Sequence, residues 1–479
     1  MTRTLLIVSA LTYALLLFIN WPQLSDPLIR HDDYPAFFGH AEAYYGKTLT
    51  EGRWLNYWWM SRETMWPANF AFLHYLLGWA LFCAAVATSA FARDARLIYV
   101  ALTAFLIALS PQAYLISAWF NTLGLGIWIV AIFAILTLYV GSRGARVLML
   151  FFGPISMLAY TTYPLAMSAL LFARHDTRRS IWDVLLLLLL LAVSMMLGLL
   201  IMYTLNYHYH GIFGLEIAEW RNPDPARGLA DLWANAQIVL PFYLEEILTS
   251  MGFGIAWISA MNMFLLVAAM AILIQQRTLE PVYLLVGLAA AVGVLMANSL
   301  KEGVDIPMRA MFGAWVFFAL ILARAVFVLS QTGRAKPVLL GAAALTAFYT
   351  WQLQKSTWFY SEWLTGTRAL AAQLPEDAEK FVIYGNLWAL PGANEARIAH
   401  FYALSARLTQ LTGLPGINCD DALVTCLDTP PFDIEAHDNK VLIRQVDGTV
   451  FLRMPVLEGD ENGFLRKCMR CELDESASS

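Results

Sequence analysis

The sequence predicts an all-α polytopic membrane protein of about eleven spanning helices, followed by a small C-terminal α+β domain outside the cytoplasm. Three observations predict it. Of 479 residues, 59% are hydrophobic and only 14% charged, whereas soluble domains carry roughly a quarter charged residues. Apolar stretches near the 20-residue length of a bilayer-crossing helix recur as far as residue 351. From about Pro375 the composition turns to that of a soluble domain of about 100 residues.

Clear spans fall at 5–21, 67–91, 97–115, 119–140, 181–205, 252–274, 281–299, 309–330 and 337–351. The first is read as retained, because Pro22-Gln23-Leu24-Ser25 offers no small-residue cleavage site. Basic residues favour the cytoplasmic side, which puts Arg93, Arg96, Arg143, Arg146, Arg174, Arg178, Arg179, Arg277, Arg334 and Lys336 there. One apolar run, 147–173, then joins two basic clusters on the same side. Either one cluster escapes the bias, or the run folds as two short helices meeting near Tyr160-Thr161-Thr162-Tyr163-Pro164, with Pro154 and Pro164 compatible with breaks. The second option is adopted. It gives about eleven spans, an inner N-terminus and an outer C-terminus. The membrane domain is then 1–353, with outer loops at 22–66 and 206–250, and the soluble domain is 375–479.

Within that soluble domain, 380–384 reads as a buried strand and 395–411 has helical apolar spacing. Residues 440–454 form two alternating runs around Asp447-Gly448, a strong hairpin signal. Cys419, Cys426, Cys468 and Cys471 are expected to form two disulfides, in the local pairs Cys419–Cys426 and Cys468–Cys471, with zinc ranked below them. Cys83 lies within a span and reads as packing.

The chemistry concentrates in 30–59. Asp32, Asp33, His40, Glu42, Lys47, Glu51 and Arg53 stand there among nine aromatic residues, an unusual polar load between two spans. Asp32 and Asp33 are adjacent and point different ways. Asp33 stands where it would cap a helix beginning at Tyr34-Pro35, which leaves Asp32 as the preferred general base on a hydroxyl. An interfacial amphipathic helix over 34–45 would carry His40 and Glu42 on its polar side. Arg53 either holds a phosphate or carboxylate with its planar fork or snorkels to the interface. Trp54 either stacks on a sugar or joins an interfacial belt. Lys301 and Arg309 flank an outward turn as phosphate-contact candidates, and Tyr160 and Tyr163 either line a lipid groove or pack. Glu216, Glu219, Glu245 and Glu246 are alternates for acceptor contacts. No metal site is assigned: the two adjacent carboxylates could bind a divalent ion, but no further ligand spacing supports one. The net charge of -5, with no basic stripe, gives no sign of nucleic-acid binding.

His31-Asp32-Asp33-Tyr34 and Gly52-Arg53-Trp54 after a first span resemble the bacterial and phage O-antigen glucosyltransferase family, the type II glucosyltransferase domain. Further similar pieces are 108–114 leading to Asn121-Thr122-Leu123-Gly124, the aromatic 160–163 segment, and 306–313 with Arg309. The resemblance runs from about residue 10 to about residue 350 and leaves the tail unassigned. It implies a GT-C class glycosyltransferase, with the acidic residues of the first outer loop, Asp32 and Asp33, at the catalytic centre. Such an enzyme inverts at the anomeric carbon and sits in the bacterial inner membrane. It moves glucose from a polyprenyl-phosphate carrier to a surface glycan such as O-antigen, with the lipid-linked donor as its substrate. Its partners are the donor, the glycan acceptor and membrane lipids, with a flippase and a donor-synthesising glucosyltransferase upstream.

The competing reading is a transporter or flippase of a lipid-linked sugar, which would place ionisable groups at mid-membrane. Here the middles of the spans are almost free of ionisable groups, with His74 and Arg324 the exceptions. A structural subunit of an envelope assembly is a third reading, resting only on the unassigned tail.

Overall fold

A computed structural model describes residues 2–30, 33–37, 41–92, 95–177, 179–218, 221–384, 390, 392–393, 396, 398, 402–418 and 441–454. The chain divides into two compact units. One is Met1–Pro27 with Pro35–Lys355; the other is Leu28–Tyr34 with Ser356–Ser479.

The first unit is a helical bundle. Among the described residues, six helices are long and apolar enough to cross a membrane: Thr2–Ile19, Ala68–Ala90, Ile181–His210, Ala256–Gln275, Glu280–Glu302 and Met308–Gly333. The helices Leu97–Ala108 and Pro111–Trp119 make a seventh if counted as one span bent by 54°. That bend follows from Pro111, which cannot continue the preceding helix, and Ser110 caps the new one by accepting from the Ala113 N–H.

The remaining expected spans fold differently. The 119–140 stretch gives the shorter helix Gly124–Tyr139. The 147–173 run gives two helices, Ser142–Met157 and Tyr163–Phe172, packed against each other. They meet at 158–162, beside the expected Tyr160–Pro164 junction; Pro154 lies inside the first of them and makes no break. The 337–351 segment is the first part of a 37-residue helix, Ala335–Ala371. Ala68–Ala90, Tyr163–Phe172 and Phe312–Leu329 form the interior. All ten residues of Tyr163–Phe172 are buried, which accounts for its lack of an amphipathic pattern.

One set of helix ends is tied by ion pairs. Arg324 forks onto Glu280 at 2.5 and 3.1 Å, and Arg146 pairs with Asp183, which also accepts from the Tyr283 hydroxyl at 2.9 Å. Buried Arg174 donates to the Thr137 and Val140 carbonyls and to Asp176. It thus satisfies carbonyls that the Gly124–Tyr139 helix leaves open at its end.

The second unit contains a four-stranded sheet, order β2-β1-β4-β3, built from β1 (Lys380–Tyr384), β2 (Gly416–Asn418), β3 (Leu442–Val446) and β4 (Thr449–Arg453). β1 pairs in parallel with β2 and β4, and β3 pairs antiparallel with β4. The Tyr402–Thr412 helix makes the crossover that parallel neighbours need. It begins later than the spacing over 395–411 suggested, since residues 396 and 398 are not helical. Val446 pairs with Thr449, so Asp447-Gly448 is a two-residue turn, with φ of 48° and 74°. Both values belong to the type I′ turn that Asp-Gly favours. The four tail cysteines lie outside the described residues. Cys83 is free and buried.

Candidate functional site

The first outer loop is held by its own short helices. Gly46–Glu51 ends at Gly52, whose φ of 69° is left-handed and whose N–H reaches back to the Lys47 and Thr48 carbonyls. A Cβ on Gly52 would lie 2.2 Å from the Met202 sulfur, so the position demands glycine twice over. The Trp54–Met60 helix follows. Its Leu55 N–H donates to the Leu158 carbonyl at 3.1 Å, and Asn56 Nδ2 donates to the Ala159 carbonyl at 2.8 Å. The loop is thereby stitched to the break between the two short helices of 147–173.

The second outer loop joins the same place. Asn206 Nδ2 donates to the Leu49 and Gly214 carbonyls, and the Glu216 N–H donates to the Leu49 carbonyl. Farther on, the Asp224 and Ala226 N–H groups donate to the Glu302 and Lys301 carbonyls. Three segments distant in sequence therefore meet around one cavity of about 300 Å³.

Its polar lining includes Glu51, Arg53, Tyr160, Arg221, Asp305 and Arg309; Met157, Leu165, Leu199, Leu215, Val294 and Leu295 make its apolar side. Arg53 pairs with Glu51 at 2.5 Å, and Arg221 reaches the same carboxylate at 3.5 Å. The Arg53 guanidinium carbon lies 5.7 Å from the Tyr160 ring centre, and that of Arg309 lies 4.8 Å from the Trp119 ring centre. Burial pulls Arg221 below the usual arginine value; the Glu51 carboxylate opposes this, while the Arg53 and Arg309 charges reinforce it. Arginine is basic enough to stay charged regardless. Three guanidinium groups against two carboxylates leave the lining with one net positive charge. Such a lining suits a small anion attached to an apolar chain.

Of the residues expected at a site, Arg53, Tyr160 and Arg309 are brought together here. Trp54 is not among them. It is 0% exposed, packed with Met157, Leu158 and Met202, and its indole N–H donates to Asn206 at 2.7 Å, so it is a packing residue. Tyr163 is buried too, in edge contact with Tyr160 and Phe312, and does not line the cavity. Lys301 is 55% exposed, lies 3.6 Å from Glu302 and contributes only its backbone to the loop.

Glu42 sits exposed in the 3₁₀ turn Ala41–Tyr44. That turn and the four-residue helix Tyr34–Phe37 stand where one amphipathic helix was expected over 34–45. Asp33 is buried, directly precedes Tyr34–Phe37 and donates its N–H to the Arg30 carbonyl at 2.9 Å; it belongs to the second unit. Asp32, His40 and Glu219 lie outside the described residues. Glu245 and Glu246 stand on the Leu229–Met251 helix and do not line the cavity; Glu216 contributes its backbone.

Sequence reasoning missed Glu51 as a partner of two arginines, and missed Arg221 and Asp305 as lining. Arg221 follows Trp220 in the polar stretch of 206–250, so the mixture of charged and aromatic residues that singled out 30–59 was there to be read as well. Among the described residues, no group of three or more His, Cys, Asp or Glu is arranged to hold a metal. No protein-family model matches the sequence, and comparisons with curated proteins and with solved structures return no match either.

Proposed function

We propose that this chain is a membrane glycosyltransferase. It moves a sugar, glucose on the strength of the resemblance, from a polyprenyl-phosphate donor to a surface glycan such as O-antigen. The transfer inverts the anomeric carbon and takes place on the periplasmic face of the bacterial inner membrane. The N-terminus lies in the cytoplasm and the C-terminal domain outside, in a chain crossing the membrane about eleven times. One observation carries the reading: Arg53, Arg221 and Arg309 share a cavity with an apolar wall, the combination that a phosphate on a long hydrocarbon chain requires.

The donor phosphodiester carries one negative charge. As the acceptor oxygen bonds to the anomeric carbon, the bond from that carbon to the phosphate oxygen breaks. The electron pair leaves with the phosphate, which gains a second charge, and the acceptor's proton passes to a carboxylate. Guanidinium groups around the phosphate hold the departing group more strongly than the donor, so they lower the barrier rather than merely bind. Glu51, engaged by Arg53 and Arg221, orients those two arginines. The base is one of the first-loop acids, Asp32 or Asp33. Asp33 holds the position before a helix, which leaves Asp32 as our preferred base.

Purified protein in vesicles, given polyprenyl-phosphate glucose and acceptor glycan, should release polyprenyl phosphate. Asp32→Asn or Asp33→Asn should lower kcat about 10²- to 10⁴-fold, as for a lost general base. Arg309→Ala should lower kcat/KM by about 10²-fold or more, as for a lost charge-stabilising donor. Wild-type turnover in both Asn variants overturns the base assignment. Donor crossing the vesicle membrane with no polyprenyl phosphate released would make the chain a transporter of lipid-linked sugar.

A further inference from the structure

The second unit has a cavity of its own, about 320 Å³, along one face of the Ala335–Ala371 helix. Trp363, Gly366, Thr367 and Leu370 line it from the helix, at spacings that keep them on one side, and Gln373 lines it from the turn just past the helix end. Leu390 and Val441 form the other wall.

Three features mark it as a site rather than a gap in packing. Trp363 is 1% exposed, yet its indole N–H is buried and makes no hydrogen bond, whereas a buried indole N–H usually finds a partner. Gly366 is exposed at the mouth of the cavity, and a Cβ built on it would meet nothing within 4 Å, so the entrance is left clear on the helix side. None of the described lining residues is charged; the polar groups are a hydroxyl, an amide and the indole. The Thr367 hydroxyl is held in place by donating to the Trp363 carbonyl at 2.8 Å and accepting from Arg407 Nε at 3.3 Å. Gln373 gives one N–H to the Ala369 carbonyl at 2.9 Å, and keeps a second N–H and its carbonyl oxygen for a ligand.

An aromatic side chain, a hydroxyl and an amide, with no charged side chain among the described lining residues and the Arg407 guanidinium engaged behind Thr367, suit a neutral, hydroxyl-bearing ring. We propose that this pocket binds a neutral hexose unit, and that in the working protein the hexose belongs to the acceptor glycan. The second half of that statement rests on the transferase reading; the first does not.

The test uses the full chain in lipid nanodiscs with a panel of methyl hexosides (gluco, galacto and manno), and reads saturation transfer to the sugar ring protons by NMR. At least one hexoside should show transfer. Gly366→Leu, which fills the open space without displacing a neighbour, should abolish it. Trp363→Phe keeps a ring but removes the N–H, and should weaken binding about five- to tenfold, the effect of one hydrogen bond. Glucuronate and cyclohexanol should bind less well, for want of a countercharge and of hydroxyls. Gly366→Ala serves as the folding control, since one methyl fits the open space. The proposal is overturned if no hexoside binds the wild type, if transfer persists unchanged in Gly366→Leu, or if cyclohexanol or glucuronate binds as tightly. Binding is read without turnover, so a chain that binds hexosides but releases no polyprenyl phosphate fails the transferase reading and keeps the pocket. Where turnover is present, Gly366→Leu should raise KM for the acceptor and not for the donor.

Discussion

At the scale of the residue, Arg53, Tyr160 and Arg309, far apart in the sequence, line one cavity. Arg53, Tyr160 and Arg309 were readable because a charged or phenolic group beside an apolar run needs a reason to be there. Trp54 misled for the opposite reason. A tryptophan next to a membrane boundary reads the same whether it faces a sugar, a headgroup or the interior, and only its hydrogen bond to Asn206, 152 positions away, settles the matter. Such a partner leaves no trace in local spacing. Trp54→Phe should cost about 1 kcal/mol, because the amide of Asn206 loses its donor. Trp54→Ala should cost about 3–5 kcal/mol through the cavity it leaves. Thermal unfolding in nanodiscs measures both. A Trp54→Phe protein as stable as wild type but without sugar transfer would restore the stacking role and refute the packing one. Glu51 was hidden similarly: its second arginine comes from another loop.

At the scale of the element, turn chemistry was the most legible signal. Asp447-Gly448 announced a hairpin, and the backbone there adopts the two left-handed conformations that the pair tolerates. The two prolines of 147–173 behave differently: the junction near Tyr160–Pro164 forms at 158–162, just before Pro164, which begins a new helix as proline readily does, while Pro154 is accommodated within a helix. Helix ends also carry the clearest pH dependence. Burial pushes the Asp176 carboxyl up, but hydrogen bonds from Arg174, the Arg174 charge and His175 outweigh it and hold the group below the ordinary carboxylate value. A carboxyl depressed in the folded state stabilises it above the unfolded pKa of about 3.9 and loses that contribution as pH falls through the folded value. With 44% of its side chain exposed, solvent screens part of the effect. Asp176→Asn should therefore lower the unfolding temperature at pH 7, and the gap from wild type should close as the pH is taken below about 4. A gap that stays constant down to pH 3 would show that Asp176 contributes through shape rather than charge.

At the scale of the whole molecule, composition alone pointed to a mostly helical chain with several helices apolar enough to cross a membrane, because apolar length and charge depletion are properties of long windows and survive local errors. Counting spans is harder. Several segments of the bundle are shorter than a bilayer is thick, and one helix runs far beyond its apolar part, so length no longer equals a crossing. Sidedness is open to direct measurement. An alkaline phosphatase reporter joined after residue 374, beyond the long last helix of the bundle, should be active, and a green fluorescent reporter at the same junction dark. The reverse pattern would place the tail in the cytoplasm and remove the case for its disulfides.

The Ile181–His210 helix has a consequence of its own. Thirty residues rise about 45 Å, against a hydrocarbon slab of about 30 Å. Standing across a bilayer, it overshoots by several turns, and the overshoot carries Asn206, the residue that grips both outer loops. Asn206 thus acts as a fixed marker on a post. Tilting the post, or thickening the lipid around it, lowers the loops toward the acyl chains; thinning the lipid lifts them clear. If the helix crosses the bilayer, lipid thickness, a property of the host membrane rather than of the protein, would set how deep the arginine-lined cavity lies relative to the headgroups.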